Sequence, residues 1–108
     1  MAEIVWSKRA IKDIDEIATF ISKDSPQYAE AQVRLFFEKV DILAQHPLIG
    51  RIVPELKIST VRQLLCGHYR IIYEIISEEQ VGIITVHHAA RLLKNNRGVK
   101  KLLRRNRK

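Results

Sequence analysis

Val61-Arg62-Gln63-Leu64-Leu65-Cys66-Gly67-His68-Tyr69-Arg70-Ile71-Ile72-Tyr73-Glu74-Ile75-Ile76 reads as two strands joined by a tight turn. β-branched and aromatic residues crowd both halves, and Gly67-His68 supplies the turn between them. A third strand-like run, Val81–His88, follows a turn at 77–80, so residues 61–88 predict an antiparallel meander. Side chains alternate faces along a strand. In the middle strand Tyr69, Ile71, Tyr73 and Ile75 therefore share one face, which is assigned to the core. Arg70, Ile72 and Glu74 share the other. That second face is expected to be open to solvent, with Arg70 either paired to Glu74 in a salt bridge or part of a cationic floor that binds phosphate, and any site is sought there. Arg62 falls on the Tyr69/Ile71 face if the hairpin loop is even in length, and beside Arg70 if it is odd.

Upstream, Glu3-Ile4-Val5-Trp6 predicts a short strand. Ser7 stands as a helix N-cap, with Trp6 and Ile11 at the positions of a hydrophobic staple. Ala10, Ile11, Ile14, Ile17, Ala18 and Ile21 then recur at helical spacing, to an end near Ser22-Lys23. Ser25-Pro26 starts a second helix, since proline suits the first helical position and serine can cap it. Its apolar stripe is Ala29, Val33, Phe36, Phe37, Val40, Leu43 and Ala44, ended by His46-Pro47. Pro47, Gly50 and Pro54 mark residues 47–60 as a loop. The order β-α-α-β-β-β predicts an α+β fold, a helical hairpin packed on one face of a mostly antiparallel sheet.

The chain has 108 residues, 46% hydrophobic and 29% charged, a length and balance that fit one domain with one modest core. Apolar runs such as Ile71-Ile72-Tyr73 are only a few residues long, so no membrane span is expected. Residues 1–20 carry charges throughout, without the apolar centre of a signal peptide. Cys66 is the single cysteine, which fits a reducing cytoplasm and excludes a cysteine-based zinc site.

The charge is lopsided. Residues 1–90 hold ten basic and twelve acidic groups, while residues 91–108 hold nine basic and none acidic. The arm comprises Arg91, Lys94, Arg97, Lys100, Lys101, Arg104, Arg105, Arg107 and Lys108. Such an arm attracts polyanions or serves as a solvated tail. Leu92, Leu93, Val99, Leu102 and Leu103 could line one side of a short basic helix, which Gly98 weakens. The division expected is a domain over 1–93 and a basic extension over 94–108.

No phosphate-binding glycine loop, metalloprotease helix or nucleophile elbow is present. Of the four histidines, adjacent His87 and His88 point to opposite strand faces and cannot jointly chelate a metal. No metal and no cofactor are expected. One of that pair is expected to face solvent, where it could serve as a general acid or base, or simply sit hydrogen-bonded at the strand end.

Five pieces in order resemble the RelE/ParE toxin superfamily, over about residues 3–93. They are the Trp6-Ser7…Ala10…Asp13-Ile14…Ile17…Phe20-Ile21 opening, the loop Pro47-Leu48-Ile49-Gly50-Arg51-Ile52-Val53-Pro54-Glu55-Leu56, and the strands Val61-Arg62-Gln63-Leu64, Tyr69-Arg70-Ile71-Ile72-Tyr73 and Val86-His87-His88-Ala89-Ala90-Arg91.

The resemblance implies the toxin of a bacterial type II toxin–antitoxin, or plasmid-stabilisation, system. It acts as a growth inhibitor in the cytoplasm and is neutralised by a cognate antitoxin encoded beside it. The antitoxin would supply the operator-DNA-binding part of the complex and order a flexible segment on the toxin, covering apolar groove surface beside the helices. RelE-like members cut messenger RNA on the ribosome; ParE-like members poison DNA gyrase and are not nucleases. Helix one and the proline–glycine loop are closer to the ParE-like branch. Ala89 and Ala90 stand where RelE-like members tend to carry a basic residue, and no tyrosine follows Tyr73. Were the chain RelE-like, Arg70 and His87 or His88 would be catalytic. Arg62, Arg91, Arg97, Lys100, Lys101, Arg104 and Arg105 are the candidates for target binding. A third reading is a non-toxic binding module on the same scaffold.

Overall fold

A computed structural model describes residues 1–105; Arg107 and Lys108 of the basic arm lie outside the described residues. The chain runs β1 (Glu3–Trp6), α1 (Lys8–Ser22), α2 (Pro26–Ile42), β2 (Arg51–Ile52), β3 (Val61–Cys66), β4 (Tyr69–Ser77), β5 (Gln80–His88), a 3-10 turn (Leu93–Asn95) and α3 (Arg97–Arg105). One sheet has the order β1-β5-β4-β3-β2. β1 pairs parallel with β5, and the remaining pairs are antiparallel. The α+β architecture expected from the sequence is therefore present, with an additional two-residue strand, β2, inside what reads as loop.

Local signals account for the helix starts. Ser7 Oγ accepts from Ala10 N at 3.0 Å and donates to Ile84 O at 2.9 Å, so one hydroxyl caps α1 and ties it to β5. Ser25 Oγ accepts from Tyr28 N at 3.1 Å, with Pro26 opening α2. α2 ends at Ile42, before His46-Pro47, and Leu43 continues its buried stripe beyond the last helical turn. Trp6 packs against Phe37, ring centroids 5.0 Å apart. The helical hairpin lies on Ile71, Tyr73, Val81, Ile83 and Val86, and Phe36 at its centre is wholly buried. Burial of a phenylalanine of that kind contributes about 2–3 kcal/mol.

The turn Gly67-His68 is two residues long, and Gly67 takes φ 61°, a left-handed conformation that suits glycine. This even-length turn pairs Arg62 with Tyr73 and so puts Arg62 on the helix side of the sheet. Between Ile83, opposite Tyr73, and Thr85, opposite Ile72, the extra residue Ile84 forms an irregularity in β5.

The second sheet face is not open. Val53, Val61, Ile72, Leu93, Val99 and Leu102 form a second buried cluster in which α3 and the 3-10 turn cover the sheet. The expectation fails because Ile72, lying between Arg70 and Glu74, needs cover, and α3 supplies it from two apolar positions in a basic tract. The helix forms despite the low helix propensity of Gly98, which serves its docking. A Cβ there would stand 2.9 Å from Ile84 O and 3.1 Å from Thr85 Cβ, so glycine is what lets α3 approach β5. The expected Arg70–Glu74 pair is also replaced, Arg70 bonding Glu55 and Glu74 bonding Arg105.

Candidate functional site

A cleft of about 780 Å³ opens between α1 and the C-terminal end of β5, roofed by the segment from Arg91 to Arg97. β1 pairs only with residues 80–83 of β5, so the far half of that strand meets α1 side chains instead of another strand. Asp13 of α1 occupies this edge. Its carboxylate accepts from Val86 N at 3.1 Å, from Thr85 Oγ1, and from Arg9 Nε at 2.9 Å. Arg9 also reaches Glu16 at 2.9 Å. Exposed Phe20 and Leu92, 68% and 66% accessible, stand on opposite lips of the cleft.

Asn96 joins this edge to α3. Its Oδ1 accepts from Val99 N at 2.9 Å, which caps the helix and fixes the amide orientation. The Nδ2 group then donates to Thr85 Oγ1 at 3.1 Å and to His87 Nδ1 at 2.9 Å. His87 Nδ1 is thus an acceptor, and Nε2–H donates to Arg91 O at 3.0 Å. Both ring nitrogens are engaged and the side chain is buried. His88 projects to the opposite, helix-bearing face, half-buried with its ring edge toward Tyr69; its Nδ1 accepts from Ala90 N at 3.1 Å. His87, on the face expected to be open, is covered by α3 and presents no free ring nitrogen. His88, half-buried, also lines the cleft.

Arg70 pairs directly opposite His87 across β4 and β5. Its guanidinium is a two-bond fork on Glu55, Nη1 to Oε1 at 3.0 Å and Nη2 to Oε2 at 2.8 Å, and Nη1 also donates to Gln63 Oε1 at 3.1 Å. The side chain is 9% exposed, and its Nε is buried without a partner. The hydrogen bond from Arg70 holds the Glu55 carboxyl below the usual carboxylate range, against the opposing effect of burial.

The other candidates lie elsewhere. Arg62 donates to Gly50 O at 2.9 Å, beside Tyr73, whose hydroxyl accepts from Gly50 N at 2.9 Å and donates to Pro47 O at 2.7 Å. Together they fasten the proline–glycine loop. Arg91 is exposed at the cleft, and Arg97, Lys100, Lys101, Arg104 and Arg105 are exposed on α3. The structure therefore gathers Arg70 with His87, sends His88 to the opposite face, and holds Arg62 apart. Asp13, Thr85, Asn96 and Glu55 organise the region and were not singled out from sequence; Asn96 carried the one local signal, a capping residue immediately before a helix. Among the described residues no cluster of three or more His, Cys, Asp or Glu is placed to hold a metal ion, and no helix is long and apolar enough to cross a membrane.

The family model described as the ParE toxin of the type II toxin–antitoxin system parDE matches residues 4–93. The chain belongs to the ParE toxin family. As a toxin of a type II system of the ParDE/RelE type, it has an antitoxin partner. This ParE-family toxin is 33% identical over 92 residues to Toxin RelE2 of Caulobacter vibrioides, covering 85% of this chain and all of that protein. It is 35% identical over 86 residues to Y4kP of Sinorhizobium fredii, covering 80% of this chain and 86% of that protein. The fold matches a chain of the chromosomal ParDE system from P. aeruginosa with a TM-score of 0.67 at 21% identity, over 82% of this chain and 96% of that one.

Proposed function

We propose that this toxin is a ParE-like growth inhibitor acting on DNA gyrase in the cytoplasm, and not a ribosome-dependent mRNA endonuclease. The observation that carries the reading is the pairing of Arg70 with Glu55. The strand arginine that an RNA-cleaving site would use for phosphate has its two terminal nitrogens on a carboxylate and an amide, and its Nε is buried. His87, the histidine beside it, has both ring nitrogens occupied. Cleavage chemistry would require Glu55 and Asn96 both to let go. The cognate antitoxin supplies operator binding, and covers the cleft between Phe20 and Leu92.

Two assays on the purified toxin test this. Inhibition of gyrase supercoiling with accumulation of cleavage complexes, retained in Arg70→Ala, is the expected result. New message ends that appear by primer extension only with translating ribosomes would overturn it.

A further inference from the structure

The solvent side of α3 carries Arg97, Lys100, Lys101 and Arg104, one residue from each position of an i, i+3, i+4, i+7 series. At the helical repeat these four fall within an arc of about 100°, opposite the buried Gly98, Val99 and Leu102. All four are exposed, and among the described residues none forms an ion pair. The acids that border the helix are already taken: Glu74 by Arg105, Glu55 by Arg70, and Asp13 and Glu16 by Arg9. Arg91 and Lys94, also exposed, extend the positive surface past the start of the helix.

We propose that this ridge seats directly on the phosphate backbone of duplex DNA, so that the toxin itself contacts DNA. Arg97 and Arg104 are about 10 Å apart along the axis, a length over which a duplex presents roughly six phosphate charges. The residues before position 91 carry a net charge of −2, so the body is repelled and the ridge leads. Single-stranded nucleic acid is disfavoured, because α3 itself carries no Phe, Tyr or Trp among the four cations to stack successive bases. An acidic peptide is disfavoured because no apolar anchor lies between the cations; Leu103 sits on the flank of the helix. The ridge of α3 is Lys and Arg alone, with no Asn or Gln to read adenine, so its contact is made chiefly with phosphate and requires no particular sequence. A-form RNA, with its narrow major groove, offers a helix less access. The inference does not depend on gyrase being the target.

The test is fluorescence anisotropy of a labelled 20-base-pair mixed-sequence DNA duplex with the full chain, between 50 and 200 mM salt. Four phosphate contacts give a slope of log K against log salt of about −3.6 or steeper, a loss of about 150-fold across that range. The variant K100Q/K101Q/R104Q is expected to flatten the slope by about 2.7, and the single change Lys101→Gln by about 0.9. K8Q/K12Q/K23Q, which removes the same charge from exposed positions elsewhere, should leave the slope as it is. Absence of binding at 50 mM salt would overturn the proposal, as would equal loss in the two triple variants. So would displacement of the duplex by single-stranded DNA, duplex RNA or polyglutamate at equal charge concentration.

Discussion

Glu55 neutralises Arg70 from the far side of a proline turn, fifteen residues away in sequence, through two hydrogen bonds of 2.8 and 3.0 Å. The pair places a charge-balanced fork where the strand pattern alone offered a Glu74 salt bridge or a cationic floor. Glu55→Gln leaves the largely buried guanidinium without its counter-ion; with Glu55 itself partly exposed, the loss is expected at about 1–2 kcal/mol. Because the Glu55 carboxyl is held below 4.5, its contribution is complete above that value and fades as pH falls through the lowered one. Urea midpoints of the wild type and the variant should therefore differ at pH 7 and converge in acid.

Asn96 holds α3, β5 and His87 at once, and two substitutions separate those jobs. Asn96→Asp keeps the cap on Val99 N but loses the donors to Thr85 and His87; Asn96→Ala loses all three bonds. A cap is worth about 1 kcal/mol, and leaving His87 Nδ1 without its partner, while Thr85 keeps its bond to Asp13, adds about 1–2 kcal/mol. Amide exchange over α3 should quicken in both variants, more in the alanine, and equal exchange in the two would show that the His87 and Thr85 bonds carry the helix.

Gly98→Ala sets two effects against each other. Alanine favours the helix by about 1 kcal/mol. Its Cβ would also meet Ile84 O at 2.9 Å, a backbone atom that cannot swing aside. Overpacking of this kind costs about 1–3 kcal/mol, so the thermal midpoint should fall. A rise would mean that α3 docks with more room than its contacts indicate.

Tyr73→Phe removes both bonds that pin the loop, to Pro47 O and from Gly50 N, at a cost of about 1–3 kcal/mol. Burial pushes the Tyr73 phenol above 10.0, so the folded state holds that proton more tightly than the unfolded chain does. The stabilisation is complete below about pH 10 and is lost as pH rises through the raised value. Chemical denaturation should show the gap between wild type and variant closing only in strong alkali.

What was legible in the sequence was what neighbouring residues dictate. Ser7, Ser25-Pro26 and Gly67-His68 fix their helix starts and their turn through contacts within three residues, and alternation alone sorted Tyr69, Ile71 and Tyr73 from Ile72. The sheet face was misjudged because its cover depends on Val99 and Leu102, two apolar positions within a basic tract whose docking site is set by an irregularity at Ile84. Asp13 looked like one more solvent-side acid of an amphipathic helix, since nothing local reveals that β1 stops short and leaves Val86 N to be satisfied. Glu55 was hidden for the same reason, its partner lying across a loop.

The parallel pairing of β1 with β5 joins residue 3 to residue 80, and Asp13 closes on Val86 across 73 positions. Contacts so distant in the chain make folding slow to begin and late to finish. The N-terminal helical hairpin must wait, during synthesis, for the last strand before its own edge is sealed. At about 5–20 residues per second that wait is several seconds. A polypeptide abandoned by the ribosome before β5 is complete lacks both the central partner of β1 and the platform for α3, so aborted synthesis yields no assembled toxin.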